Sequence, residues 1–426
     1  MKNALIALIV IIFTNLVLIL NAESINVGLF NEIDIEENID YLVITCEEYL
    51  DSDFQKLIDN KPNSKILTIE EIKENSSFWV NGTFGDGKQI TKNHNIFNDT
   101  QAKIRNFIKF AYENWNTKYI LLGGDSEIIP ARFFHLQNVF WFSGVMYSRK
   151  TVDIPSDMYY SNLDGTWNDD CDNYFGEIKK YSIRNEDDLD SEIIIGRAPV
   201  SSKEDIKIFV EKTLSFQNKE KPNQILLHRT KMNAIDFPKT QIITEKCASH
   251  ISNDYEVIKL YDVKDKQEYA DSFNNKLLTL HIGWGRVESY HIVKKLFNSI
   301  LFTNEDVSLF NNNFYPIHIS IGCQVGRFTN KNEDCLAEKI LLCENGGASA
   351  CIANSHYGYA SWYDAHKYSG EFIEQIFYEL FEAGTKDLGF SVKNAKEHFV
   401  SKAENNIGYR WCIYTITLLG DPQMKI

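Results

Sequence analysis

The sequence has no Cys-x-x-Cys pair. Its 8 cysteines (Cys46, Cys171, Cys247, Cys323, Cys335, Cys343, Cys351 and Cys412) are scattered over 426 residues. That pattern argues against a zinc knuckle and against a dense disulfide framework. An excess of basic residues is also missing: 44 Lys and Arg against 59 Asp and Glu leave a net charge of −15. An acidic chain repels phosphate backbones, so nucleic acid is not expected as a partner. The charges are mixed along the chain rather than blocked, as on a solvated acidic surface. After the N-terminus no apolar run is long enough to cross a membrane. The scarcity of proline, 8 residues, says little about chemistry.

What is present begins with a greasy N-terminus. Lys2 precedes an apolar run from Ala4 to Leu20, followed by Asn21 and Ala22. This reads as a secretory signal over residues 1–22, cleaved after Ala22, and predicts a secreted, extracellular protein. The alternative is an uncleaved signal anchor, which would tether the protein to a membrane; Asn15 within the run disfavours a stable span. Only Glu23 to about Asp40 would separate the signal from the first strand, leaving little room for an inhibitory propeptide. Export permits disulfides and gives meaning to the sequons at Asn75, Asn81 and Asn98.

The mature chain alternates short β-branched runs with helical spacing, so an α/β fold with largely parallel sheets flanked by helices is predicted. Strands are expected at 41–45, 65–69, 118–122, 192–196, 225–228, 256–261, 276–282, 316–321 and 348–353. Helices are expected at 100–115, 203–217, 240–251, 334–343, 370–382 and 388–404. The polar break Lys219-Glu220-Lys221-Pro222-Asn223 suggests two α/β subdomains, 23–222 and 223–426. In open parallel sheets chemistry gathers beyond the carboxyl ends of the strands, so the loops after Ile282 and Ile321 are the places to look.

Two stretches imitate ligand sites. Gly82 to Lys88 fits the start of a phosphate-binding loop, but Gln89 stands where a Ser or Thr would hold magnesium, so a surface loop is the better reading. Asp164 to Asp172 (DGTWNDDCD) places several oxygen ligands close together without the order of a calcium-binding hand, leaving either a solvated turn or a structural calcium site. The strongest signal is Cys323, one residue past a β-run at Gly322, with Gly326 three further on. Such a position would expose sulfur at a strand end, with backbone N–H groups near Gly322 and Cys323 able to face an oxyanion. A lone cysteine there is otherwise a buried core residue.

Several blocks resemble the gingipains, cysteine peptidases with a caspase-like α/β fold. They are Cys323 to Phe328 (CQVGRF), Cys335-Leu336-Ala337-Glu338, Gly346-Gly347-Ala348 leading to Ala353-Asn354-Ser355, Lys276 to Gly285, and Leu418 to Pro422 (LLGDP). In the first half, Tyr119 to Pro130, Asp157 to Tyr160, Asp164-Gly165 and Ile195 to Val200 also match. The resemblance implies a cysteine-type endopeptidase acting on protein or peptide substrates without a required cofactor. It makes Cys323 the nucleophile and assigns Gly283 and the Cys323 backbone to the oxyanion site.

The resemblance breaks at the base. The family's Gly-His-Gly is Gly283-Trp284-Gly285 here, and an indole can neither accept a thiol proton nor protonate a leaving amine. The family's acidic residue at the end of the second half's first strand is also missing: the stretch reads His228-Arg229-Thr230-Lys231-Met232, and the first carboxylate is Asp236. Asp236 lies in the region that sets basic specificity in gingipains, but that role is not carried over. His281, three residues before Trp284, is the substitute base to consider, with His291 and His356 behind it. Residues an odd number apart on a strand face opposite ways, so His281 also reads as a core histidine beneath the site. Two functions are therefore expected to compete: a weak peptidase, or a pseudopeptidase serving as a binding or adhesion module.

Overall fold

The computed structural model describes residues 38–80, 94–143, 146–178, 186, 189–231, 239–261, 263–294, 299–361 and 363–426. The expected signal, the phosphate-loop look-alike, Asn81 and Asp236 lie outside them.

Ten strands form one sheet. In chain order they are β1 Tyr41–Thr45, β2 Ser64–Thr68, β3 Tyr119–Gly123, β6 Ile194–Ala198, β7 Gln224–Arg229, β8 Glu256–Leu260, β9 Leu278–Ile282, β13 Ile317–Ser320, β14 Ala350–Asn354 and β15 Ile416–Leu419. The spatial order is β2-β1-β3-β6-β15-β14-β13-β9-β7-β8. Every pairing is parallel except β14 with β15. The intervening numbers belong to two smaller sheets. One is the hairpin of β4 (Arg132–Ser143) and β5 (Met146–Ser156); the other is the meander of β10 (Gly285–Arg286), β11 (Ser289–Lys294) and β12 (Ser299–Thr303).

The central strands are buried on both faces, as parallel sheets require, and their side chains alternate between two apolar layers. Leu42, Ile44, Ile120, Leu122, Leu278, Leu280, Ile317, Ile319 and Ile352 enter one layer. Tyr41, Val43, Leu121, Cys351, Ala353 and Leu419 enter the other. The principal helices covering these layers are α1 Phe54–Asp59, α2 Ile69–Glu74, α3 Thr100–Trp115, α4 Lys203–Asn218, α5 Gln241–Ser249, α6 Lys266–Asp271, α7 Leu336–Leu341, α8 Ser369–Phe377, α9 Leu388–Glu397 and α10 Ile407–Thr415. Helix α3 starts where Asp99 accepts the N–H of Ala102 and stops at Asn116 in the left-handed region (φ 55°).

Strands from before residue 222 form one end of the sheet and strands from after it the other, with β15 between them. The halves expected from sequence thus share one sheet rather than having one each. The join is tight because Gly196 lacks a side chain: a Cβ there would lie 2.2 Å from the Gly420 carbonyl oxygen. Beside it, fully buried Arg197 donates to both Asp157 oxygens at 2.7 Å and to the carbonyls of Gly124 and Ile129 at 2.8 and 2.9 Å. Three of the first-half sequence blocks therefore converge on one guanidinium. Asp421, also fully buried, accepts from Tyr41 Oη at 2.9 Å, Lys61 Nζ at 2.8 Å and Gln217 Nε2 at 3.1 Å. The LLGDP segment thereby clamps the end of β15 to β1 and α4.

Candidate active site

Strands β9 and β13 are parallel neighbours, with His281 opposite Ser320. The chain leaves both strands at the same edge, through Gly283 and Gly322. Between them the loops touch: a Cβ on Gly285 would lie 2.9 Å from both the N and the O of Cys323. This brings Trp284 and Cys323 together at the carboxyl ends of adjacent strands, where an open parallel sheet holds its chemistry. Gln324 takes φ 60°, unusual for a residue with a side chain, and the Arg327 N–H donates to its carbonyl at 3.1 Å. The turn after β13 is therefore sharp, and Cys323 sits at its start.

Cys323 is half-buried. Burial pushes its thiol up from the usual range, while the backbone N–H groups of Gly358, Gly285 and Cys323 itself draw it back. Cys323's own N–H is among these groups on the sulfur, and Gly283's is not. Gly283 instead sits over the core, where a Cβ would lie 2.4 Å from Thr230 Oγ1 and 2.9 Å from His281 Nε2. Gly358 was not anticipated. Its signal was available, since it follows β14, the next parallel strand, and that strand's loop must reach the same edge.

Trp284 projects from its turn with 45% of its surface exposed, and its carbonyl accepts the His291 N–H at 2.9 Å. The considered substitute base, His281, is fully buried below this turn. Its Nδ1 bonds Ser320 Oγ and its Nε2 the His291 carbonyl, both at 2.9 Å, and its ring stacks on Tyr290 at 3.9 Å. Burial holds its pKa well below normal. With both nitrogens engaged inside the core, His281 has none left for a thiol proton; strand alternation has put it on the layer under the meander. His291 is half-buried, with its pKa lowered by burial and then by Lys294 and Arg286. His356 lies on the β14 loop, where its carbonyl accepts the Gln324 N–H at 2.7 Å. Burial, and then the Arg327 charge, bring its pKa to about 4, so it is neutral at pH 7. Its Nδ1 is buried with no hydrogen-bond partner among the described residues.

No carboxylate stands at the end of β7 among the described residues there. Arg229 packs over the Tyr261 ring at 4.7 Å, Thr230 donates its N–H to Ile282, and Lys231 is exposed. Among the described residues, Asp170 alone of the acidic stretch Asp164 to Asp172 joins a cluster that could hold a cation; its partners are Glu177 and Glu186, with ligand oxygens all within 4.8 Å. Buried Glu186 already accepts the N–H groups of Asp169 and Glu177 at 3.1 Å.

The chain matches Peptidase family C25 over residues 34–426. It belongs to that family. Among solved structures, the Arg-specific cysteine proteinase gingipain R superposes with a TM-score of 0.62 at 18% identity, covering 92% of this chain and 79% of that one. A complex of Porphyromonas gingivalis RgpB pro- and mature domains gives 0.61 at 19% identity, with 91% and 79% covered. A third structure, described only as a protease, gives 0.59 at 14% identity, with 93% and 80% covered. At these identities the superpositions establish the gingipain-like, caspase-like fold. No curated protein matches the chain. Membership in C25 implies protein or peptide substrates for the family, and Cys323-Gln324-Val325-Gly326 occupies the strand-end turn at which the sequence resemblance placed the nucleophile.

Proposed function

We propose that this C25 chain is an exported protein whose cleft at Cys323 receives peptide segments and whose hydrolysis is weak or lost. One observation carries the reading: the groups opposing burial at the Cys323 sulfur are three backbone N–H groups; the sequence resemblance supports it by setting Trp284, an indole, where the family has an imidazole. A thiol with a raised pKa is almost wholly protonated at neutral pH. Without general acid–base help, rates fall by about 10²–10⁴-fold. The same N–H groups could still bind a peptide carbonyl, so a cleft that holds a strand without cutting it is a coherent end state.

The test is a set of three proteins assayed against a peptide mixture of varied sequence. Wild type should cleave slowly or not at all, Trp284→His should cleave measurably faster, and Cys323→Ala should be silent. Brisk wild-type cleavage that vanishes in Cys323→Ala would sink the proposal and favour an active endopeptidase. The unpartnered Nδ1 of His356, like that of His291, is an observation on that side. In that case His356→Ala should abolish turnover while Trp284→Phe spares it.

Export rests on the sequence of residues 1–22, and the mass of the protein recovered outside the cell should begin after Ala22. A larger, membrane-bound product would mean an uncleaved anchor. No cofactor is needed by this reading. A structural calcium at Asp170, Glu177 and Glu186 would show as a fall in Tm with chelator, restored by calcium and absent in Asp170→Asn.

A further inference from the structure

Three loops meet at the Cys323 edge, and their charged residues run against the acidic character of the chain. Arg286 follows Gly285, the residue in contact with Cys323, and is exposed on β10. Trp284, in the turn two residues earlier, is exposed as well. Arg327 closes the turn that begins at Gln324; it is half-buried, and its Nε is enclosed with no hydrogen-bond partner. Its charge is felt across the turn by His356, as Arg286 and Lys294 are felt by His291. Lys231 lies exposed at the end of β7, two strands from β13. Among the described residues none of these four cations is engaged in an ion pair. Of the carboxylates at hand, Asp153 holds His135 Nδ1 at 2.7 Å, while Glu288, in the turn between β10 and β11, is exposed two residues from Arg286. In a chain of net charge −15, unpaired cations gathered at one strand edge are a local reversal.

We propose that the cleft takes acidic peptide segments, with the Arg286 and Arg327 guanidiniums reading their carboxylates. This deepens the peptide-cleft reading and rests on it. A guanidinium offers a planar fork of donors that suits a carboxylate, and Arg327 is half-buried with no ion-pair partner among the described residues. Trp284, beside Arg286, supplies the apolar floor that a peptide backbone or its aliphatic side chains can cover.

The experiment measures fluorescence anisotropy of short labelled peptides with the full chain, in matched acidic, amide (Gln and Asn) and basic versions. The acidic peptide should bind roughly tenfold tighter than its amide analogue at low salt, and the ratio should shrink as salt screens the pair. Arg327→Gln and Arg286→Gln should each weaken the acidic peptide by roughly three- to tenfold while leaving the amide peptide unchanged. Arg327→Lys, which keeps the charge but not the fork, should fall between wild type and Arg327→Gln, which separates charge from misfolding. Equal binding of all three peptides, or preference for the basic one, overturns the acidic-ligand assignment and leaves the cleft reading standing. If no peptide binds, and none slows alkylation of Cys323, both fall together.

Discussion

Single residues at the Cys323 edge are under tight spatial control, and their substitution has calculable consequences. Gly285→Ala would drive a methyl against the Cys323 backbone, so the Cys323 turn must move; a loss of roughly 1–3 kcal/mol is expected, with a changed alkylation rate at Cys323. Differential scanning and timed labelling check the two parts. The buried histidines make a second prediction. His281, His318 (about 3) and His356 (about 4) all have depressed pKa values because burial penalises the imidazolium. A depressed histidine contributes stability that is complete above the unfolded value of about 6.5 and is lost as pH falls toward the folded values. The protein should therefore lose Tm steeply between pH 6 and 4, and His318→Gln should flatten that slope; an unchanged slope would count against it. Cys323 and the loop after Ile282 were legible because each follows an apolar run at a glycine, and Trp284 stood out within that loop only by the family resemblance. It left His281 open, because alternation along a strand says which residues share a face and not what lies above that face.

At the scale of elements, helix α7 begins with a buried titratable pair. Cys335 caps it, and its N–H donates to the Glu338 carboxylate at 2.6 Å. Burial raises Glu338 to about 7. A raised acid contributes stability that is full below its unfolded value, near 4.5, and is lost as pH rises through 7. Glu338→Gln can keep the cap without the ionisation. It should be more stable than wild type at pH 8, by an amount on the order of 2–3 kcal/mol, and indistinguishable or weaker at pH 5. Chemical denaturation at the two pH values decides this, and equal shifts at both would refute it. Most strands and helices of the central sheet were legible, because runs buried on both faces are continuous in sequence. The hairpin β4–β5 was not anticipated, although aromatic and β-branched residues flank its turn. Strand β15 also escaped: it continues directly from α10, and only its neighbours across the sheet make it a strand. The helix expected over 388–404 is broken after Glu397, where Phe399 leaves helical geometry (φ −103°, ψ 0°).

For the whole molecule, the decisive joint is where β15 enters between β6 and β14. The Asp421 carboxylate there compensates a lysine that is itself buried, Lys61. Removing one partner of a buried pair leaves the other charge stranded, so Asp421→Ala should cost roughly 3–5 kcal/mol. Lys61→Met with Asp421→Asn should recover much of it. A thermal-melt cycle over the four proteins measures the coupling, and additive effects would show that the clamp is not one unit. This joint explains why the polar break at residue 222 looked like a boundary. The break is real in the chain, but the sheet runs past it because a segment from far downstream fills the gap.

That placement sets an order of events. The strand nearest the middle of the sheet is the last of the ten in sequence, so the two ends of the sheet can be assembled separately and yet cannot be united until residues 416–419 arrive. Pairings of such long sequence separation form slowly and late. Until then the open flanks of β6 and β14 are unpaired edges, which invite other strands. A chain caught before closure is the one most exposed to aggregation and proteolysis. A soluble peptide carrying residues 416–426 should protect a chain that ends at Thr415.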